Sequence, residues 1–338
     1  MTACRQIRLA KRPSGPPTAA TFELVESAMP VPGAGEVLCR TLWLSLDPYM
    51  RGRISGAKSY ARSVEPGEVM VGECVGEVID SRDPAFSHGD IVAGGGGWQS
   101  HWALPGESLR RIDPTLAPIS TALGVLGMPG LTAWVGLMEL AEPKPGETVV
   151  TGAATGAVGA IAGQLAKLEG CRVVGVAGGP DKCAYATQEL GFDACLDRHA
   201  PDLEGRLEAA CPNGIDIYIE LVGGAVTAAA LPLLNLHARM PVIGGIAHYN
   251  AAELPPGPDR TPLLIRQILV KRLKLQGMIV TDHEASRPAF ETRVSALIRD
   301  GQLHYREDVV DGLERAPAAF IGLLEGRNFG KLLVRVAS

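Results

Sequence analysis

Two textures of hydrophobic patterning divide the chain. Up to about residue 118 the apolar residues come in short Val/Ile/Leu runs punctuated by Pro and Gly, as in Glu36-Val37-Leu38-Cys39-Arg40-Thr41-Leu42-Trp43-Leu44 and Gly76-Glu77-Val78-Ile79-Asp80. That spacing predicts a small barrel-like or sandwich-like β domain. A strand near residue 91 runs into Gly94-Gly95-Gly96-Gly97, a flexible stretch readable as a hinge or as a loop. From about residue 119 apolar strands alternate with helical patterns. Strands are predicted at 148–150, 172–177, 194–197, 215–221, 239–245 and 273–280, with a helix through Lys167 and helical patterns near 181–190, 201–211, 224–235 and 261–272. Such alternation gives right-handed crossovers and a doubly wound parallel sheet with helices on both faces. A last helix at about 284–300 leads to Val309-Val310, a helix over 316–324 and a closing strand at 331–336 that returns to the N-terminal domain. The expected fold is α/β: a β domain of residues 1–118, completed by about 301–338, around a nucleotide-binding domain of 119–300.

The first strand of the alternating region ends in Thr151-Gly152-Ala153-Ala154-Thr155-Gly156-Ala157-Val158-Gly159. Small residues at Gly152, Ala153, Gly156 and Gly159 let the backbone turn sharply, approach a ligand closely and pack the following helix on its strand, with the helix N-terminus aimed at a pyrophosphate. Glycine turns before helices also serve plain packing, so the next strand carries the argument. It ends in Gly178-Gly179-Pro180-Asp181-Lys182, without the tip carboxylate that binds a ribose 2′-hydroxyl. Two glycines and a lysine leave room and positive charge for a 2′-phosphate, which favours NADP(H). Lys182 could instead be a solvated helix-start residue, and Asp181 a helix cap.

Composition changes little in this picture. Hydrophobic residues at 46%, charged residues at 20% and a net charge of −5 describe an ordinary globular protein with no basic footprint for nucleic acid or an anionic membrane. No signal-peptide or bilayer-length apolar run is visible, so a cytoplasmic location is expected. The seven cysteines are scattered without a C-x-x-C pair and the seven histidines likewise, so neither disulfide nor metal spacing is present.

Several stretches together resemble one family: Trp43-Leu44-Ser45-Leu46-Asp47-Pro48-Tyr49-Met50-Arg51-Gly52, Gly127-Met128-Pro129-Gly130-Leu131-Thr132-Ala133-Trp134, Gly152 to Gly159, Gly245-Ile246-Ala247-His248-Tyr249-Asn250 and Gly326-Arg327-Asn328-Phe329-Gly330-Lys331. They are similar to the zinc-free medium-chain reductases of the leukotriene B4 dehydrogenase, prostaglandin reductase and alkenal double-bond reductase group. The resemblance implies a Rossmann domain inserted in a GroES-like β-barrel domain, and a homodimer. It implies that Gly156, Ala157, Val158 and Gly159 face the pyrophosphate, that Lys182 faces the 2′-phosphate, and that 243–249 (Gly244, Gly245, Ile246, Tyr249) with 276–282 (Met278, Val280) line the nicotinamide half. Asn328 would hold the carboxamide end. Zinc-dependent relatives carry a Cys near Asp47-Pro48-Tyr49 and a Gly-His-Glu where this chain reads Gly72-Glu73, so no metal is expected. The chain departs from the family at Asp197-Arg198-His199, commonly Asn-Tyr-Lys, and at Glu220-Leu221, commonly Asp-Asn. Arg198 could replace the tyrosine as a phosphate or adenine contact, or be a solvated arginine; Leu221 cannot make an asparagine's hydrogen bonds.

The implied reaction is NADPH-dependent reduction of the C=C bond of an α,β-unsaturated ketone or aldehyde, a small-molecule substrate. The expected catalytic residues are Tyr49 and Tyr249, two of six tyrosines. Each sits in a turn-like stretch and carries a phenol that donates without ionising. They are expected to reach the cleft from opposite domains, Tyr49 on the substrate side and Tyr249 on the nicotinamide ribose or phosphate bridge, unless both are packing residues. NADPH:quinone reduction is the other enzymatic reading, and a non-catalytic NADPH-binding sensor the reading of another class. The loop 250–262 is either a lid or a connector.

Overall fold

The computed structural model describes residues 3–253 and 257–337, so Leu254-Pro255-Pro256 of the expected lid loop lies outside the described residues. In chain order the strands are β1 Cys4–Leu9, β2 Phe22–Ser27, β3 Glu36–Ser45, β4 Cys74–Ser81, β5 Ile91–Gly94, β6 His101–Pro105, β7 Arg110–Arg111 and β8 Thr148–Thr151. They continue with β9 Arg172–Ala177, β10 Ala194–Asp197, β11 Ile215–Ile219, β12 Leu234–Val242, β13 Lys274–Gly277, β14 Glu307–Asp311 and β15 Lys331–Arg335. The helices are α1 Met50–Arg53, α2 Met128–Trp134, α3 Gly159–Leu168, α4 Pro180–Gln188, α5 Leu203–Ala210, α6 Gly224–Ala230, α7 Thr261–Lys271, α8 Arg287–Arg299 and α9 Ala316–Leu324. They fall into two compact units, one of Met1–Gly124, Tyr249–Ala252 and Glu307–Ser338, the other of Val125–His248 and Glu253–Arg306.

The first unit holds the β1-β2 ribbon and a sheet of order β14-β15-β3-β4-β5-β7, with β6 also paired to β3. The closing strand β15 pairs antiparallel with Trp43, Leu44 and Ser45 of β3. The glycine run that ends β5 continues as a loop over residues 95–97, the second of the two expected readings, but a packed loop and not a flexible one. A Cβ on Gly94 would come within 2.6 Å of Leu109, one on Gly96 within 2.5 Å of the Trp102 ring, and one on Gly97, whose φ is +75°, within 2.8 Å of the Met70 carbonyl. At Gly94, Gly96 and Gly97 the backbone thus runs so close to its neighbours that no Cβ fits. Trp98 behind them is fully buried, stacked on Phe22 at 5.6 Å and edge-on to Phe320 at 5.5 Å.

The second unit is a sheet of order β10-β9-β8-β11-β12-β13 in which every pairing is parallel. Alternate strand residues serve opposite cores. Val149, Val173, Ile217 and Ile219 pack with Ile161 and Leu165 of α3 and Phe290 of α8, whereas Val150, Val174 and Tyr218 pack with Leu207 of α5 and Val226 of α6. Burial on both faces is why these strands read as continuous apolar runs. The helix expected over 224–235 stops at Ala230. Pro232 lacks the N–H a helix needs, and Leu234, already buried at 2% exposure, opens β12.

Candidate functional site

At the end of β8 the chain makes a tight turn. Ala153 has a left-handed φ of +47°, a conformation costing a residue with a Cβ about 1 kcal/mol or more. The Gly156 N–H donates to the Ala153 carbonyl at 2.7 Å, and the Ala154 N–H donates to Val176 of β9 at 3.1 Å. A Cβ on Gly159 would lie 2.5 Å from the Ala153 oxygen, and one on Gly152 2.6 Å from Val222. Turn and helix therefore close only with glycine at both places. Gly156, Ala157 and Val158 remain partly exposed ahead of the ten-residue α3, so this turn presents backbone donors and the positive helix end together.

The tip of β9 is closed by the neighbouring strand. Asp197 at the end of β10 accepts through Oδ1 from the Gly179 N–H at 2.9 Å and the His199 N–H at 3.0 Å, bonds that hold its carboxyl below the usual range. Arg198 and His199 then lean over Gly178, where a Cβ would be 3.2 Å from Arg198 Nε and 3.4 Å from His199 Nε2. Lys182 stands half-buried in the first turn of α4. Asp181 shares that turn but is no cap: Gly179 is the N-cap, with φ +98° and no side-chain bond. Arg198 and His199 therefore frame the glycine at the strand tip, and Lys182 follows it in the first turn of α4.

Beyond β11, Glu220 takes over a duty that Leu221 cannot perform. Its Oε1 accepts from the Val222 and Gly223 N–H groups at 2.8 Å each, and its Oε2 accepts from the Thr227 hydroxyl. Its backbone oxygen accepts from Ile243 at 3.0 Å and Gly244 at 3.1 Å, while His248 Nε2 accepts from the Gly224 N–H at 3.2 Å. Leu221 is a packing residue between the two cores. Gly244, Gly245 and Ile246 thus sit half-buried on this loop at the end of β12. Met278, by contrast, is a core residue at 6% exposure whose N–H is spent on Val242, which leaves its carbonyl as its polar group; Val280 packs at the rim of the same core.

The first unit carries the tyrosines. Tyr49 follows β3 at the start of α1, partly buried. Burial, then the charges of Asp47 and Glu73, push its phenol above the ordinary range, so it stays a protonated donor. Tyr60, unmarked by any sequence motif, is electrostatically coupled to both Tyr49 and Tyr249. Tyr249 belongs to this unit and not to the nucleotide-binding unit that precedes it in sequence, which corrects the expected approach from opposite domains. The reason is Arg51, 4% exposed, whose Nε donates to Asn250 Oδ1 at 3.1 Å and whose Nη2 donates to the Gly15 carbonyl at 2.8 Å. The segment before Tyr49 is fixed by Lys331, whose Nζ donates to Asp47 Oδ1 at 2.7 Å and to the Leu46 carbonyl at 2.9 Å. Asn328 sits nearby in sequence, its side-chain amide donating to the Gly330 carbonyl at 2.8 Å. Among the described residues no group of three His, Cys, Asp or Glu side chains could hold a metal ion.

Comparison with known proteins shows the family. A family model described as the N-terminal domain of oxidoreductase matches residues 5–112, and one described as zinc-binding dehydrogenase matches 157–298. The NADPH-dependent curcumin reductase of Escherichia coli is 52% identical over 330 residues, covering 97% of this chain and 96% of that protein. The chain belongs to the zinc-free medium-chain dehydrogenase/reductase family. The NADP(+)-dependent 2-alkenal reductase of Nicotiana tabacum is 39% identical, covering 98% of this chain and 97% of that one. The crystal structure of CurA from Vibrio vulnificus in complex with NADPH superposes with a TM-score of 0.96 at 50% identity, over 99% of both chains. As a member of this family the chain is an oxidoreductase. Its glycine turn, with no room for Cβ atoms at Gly152 and Gly159, and its basic β9 tip fit a phosphorylated dinucleotide.

Proposed function

We propose that this chain reduces the C=C bond of α,β-unsaturated ketones and aldehydes with NADPH, without a metal. The observation that carries the reading is the pair Arg198 and His199 over Gly178, with Lys182 in the first turn of the helix that follows, at the strand tip where a dinucleotide's 2′-phosphate belongs. In its support stand the curcumin reductase and 2-alkenal reductase relatives. NADPH, when bound, supplies a hydride to the β-carbon. The protein's part is to orient and to stabilise charge. Gly156, Ala157, Val158 and the α3 N-terminus hold the pyrophosphate, and Lys182 and Arg198 the 2′-phosphate. The 244–246 turn, Val280, the Met278 carbonyl and Asn328 bound the nicotinamide side. Tyr249 donates to the nicotinamide ribose or the phosphate bridge. Tyr49 donates to the substrate carbonyl oxygen as negative charge develops there; such a donor is worth about 3 kcal/mol.

The experiment is turnover of an enone such as nonenal and of a quinone, side by side, with NADPH and with NADH, before and after prolonged chelation. Enone reduction with NADPH that survives chelation and falls roughly a hundredfold in Tyr49→Phe is the expected result. Preference for the quinone, or a zinc ion needed for turnover, defeats the reading. Two further features extend it. The seven cysteines are all free, in keeping with a reducing cytoplasmic compartment. Among the described residues the edge strand β13 has no strand on its outer side, and α7, with no buried residue, exposes Leu263, Ile265, Leu269 and Val270 at 56–75%. A second copy adding its own β13 about a two-fold axis would pair that edge and cover that face, giving a homodimer.

A further inference from the structure

Tyr249 comes to the first unit although the strand before it, β12, lies in the second. The distance to be explained is one of chain path: residues 249–252 leave the nucleotide-binding unit for four residues and go back. A side-chain link holds them. Arg51 is 199 positions away in sequence, nearly fully buried, and its guanidinium is divided between Asn250 Oδ1 and the Gly15 carbonyl, both neutral acceptors. Gly15 lies against the same place, since a Cβ on it would stand 4.0 Å from the Asn250 backbone oxygen. Burial alone works against the charge, lowering the guanidinium's proton affinity from its ordinary value. A buried guanidinium that gives up one of its few acceptors is left with an unpaired donor, so the contact resists opening. Arg51 is also only two positions from Tyr49, inside the short α1. One rigid segment therefore carries the first phenol and grips the residue next to the second.

We propose that Arg51 is the positioning residue for Tyr249: by binding Asn250 it holds the neighbouring Tyr249 in place, so that both tyrosines are set by a single turn of chain. The proposal rests on the role given to Tyr249 under the proposed function, and the experiment separates the two. Arg51 is too buried for a clean test by itself, so the partner is changed. Asn250→Ala removes the acceptor; Asn250→Asp keeps an oxygen facing Arg51 Nε. Enone reduction with NADPH, thermal midpoint and amide hydrogen exchange of residues 249–252 are measured for both, for Tyr249→Phe and for Tyr249→Phe/Asn250→Ala. Asn250→Ala is expected to lower kcat roughly tenfold, the scale of a misplaced group, with a thermal midpoint within about 2 °C and faster exchange at 249–252. Asn250→Asp is expected to stay within about twofold of the unmodified protein. The double variant is expected to match Tyr249→Phe alone, because a tether acting through that hydroxyl has nothing left to position. Equal losses in Asn250→Ala and Asn250→Asp, no loss in either, or losses that multiply in the double variant overturn the positioning role. If Tyr249→Phe leaves turnover unchanged, the Tyr249 role itself is wrong; faster exchange in Asn250→Ala would then leave the tether a structural contact only, which also overturns the proposal.

Discussion

Replacing Gly178 by Asp puts a carboxylate at the tip of β9, where an NAD-preferring site carries one. The backbone permits it, since Gly178 is not among the residues with positive φ. The new Cβ would meet the ends of two mobile side chains, Arg198 Nε at 3.2 Å and His199 Nε2 at 3.4 Å, which can give way. The carboxylate then competes with a 2′-phosphate for Arg198. Losing one charged hydrogen bond of this kind costs about 1.5–3 kcal/mol. Arg198 and His199 are exposed, so the repulsion between the carboxylate and the phosphate lies near the aqueous limit of about 1 kcal/mol per pair of unit charges, or about 2 kcal/mol for a dianion. NADH meanwhile gains one bond to its ribose hydroxyl, about 0.5–1.5 kcal/mol. The ratio of kcat/KM for NADPH to that for NADH should therefore fall by about 3–6 kcal/mol, on the order of 10²- to 10⁴-fold. Steady-state kinetics with an enone at both cofactors read the ratio, and thermal denaturation checks the fold. A folded Gly178→Asp protein whose ratio moves less than about fivefold would refute the placement of the 2′-phosphate at this strand tip.

Lys331→Met removes one partner of an ion pair in which both side chains are almost wholly buried, and leaves the Asp47 carboxylate, among the described residues, with the Ser45 hydroxyl as its hydrogen-bond donor; unfolding should become easier by about 3–5 kcal/mol, with a thermal midpoint lower by roughly 6–20 °C. Asp47→Asn in the same chain should recover at least half of that, and a single variant within about 1 kcal/mol of the parent in urea denaturation contradicts the argument. The proposed dimer should appear in light scattering as twice the mass of one chain, and Ile265→Asp/Leu269→Asp should run as a monomer; an unchanged mass in that variant removes α7 from the interface.

Local features were legible wherever the sequence pattern and the burial have the same cause. β9 and β10 begin and end where their apolar runs do, because both faces of the parallel sheet are covered, and the glycine turn was visible because Gly152 and Gly159 answer to contacts within a few residues. The bounds of 224–235 misled because Leu233, Leu234 and Leu236 suit a helix as well as a strand, and only Pro232 separates them. The site was less legible where a residue's duty lies with a distant partner. Nothing near Arg51 announces Asn250, and nothing near Asp47 announces Lys331. Glu220 could have been read as a capping carboxylate from the Val222-Gly223-Gly224 that follows, since a turn with three successive N–H groups needs an acceptor. Tyr60 carries no local signal.

The seat of β15 on β3 also fixes an order of events at birth. Positions 36–40 of β3 find β6 early, but the edge at Trp43–Leu44–Ser45 waits for Leu333, Val334 and Arg335, and Asp47 waits for Lys331. The whole of the second unit is synthesised in between, a delay of roughly 15–60 s at ordinary elongation rates. During that time the nascent first unit carries an open strand edge and an unpaired carboxylate destined for burial, while the second unit, whose sheet is built from residues close in sequence, can already close. The part of the chain that begins first is finished last, and its exposed interval is where a chaperone, or a misplaced strand from a neighbouring chain, would find it.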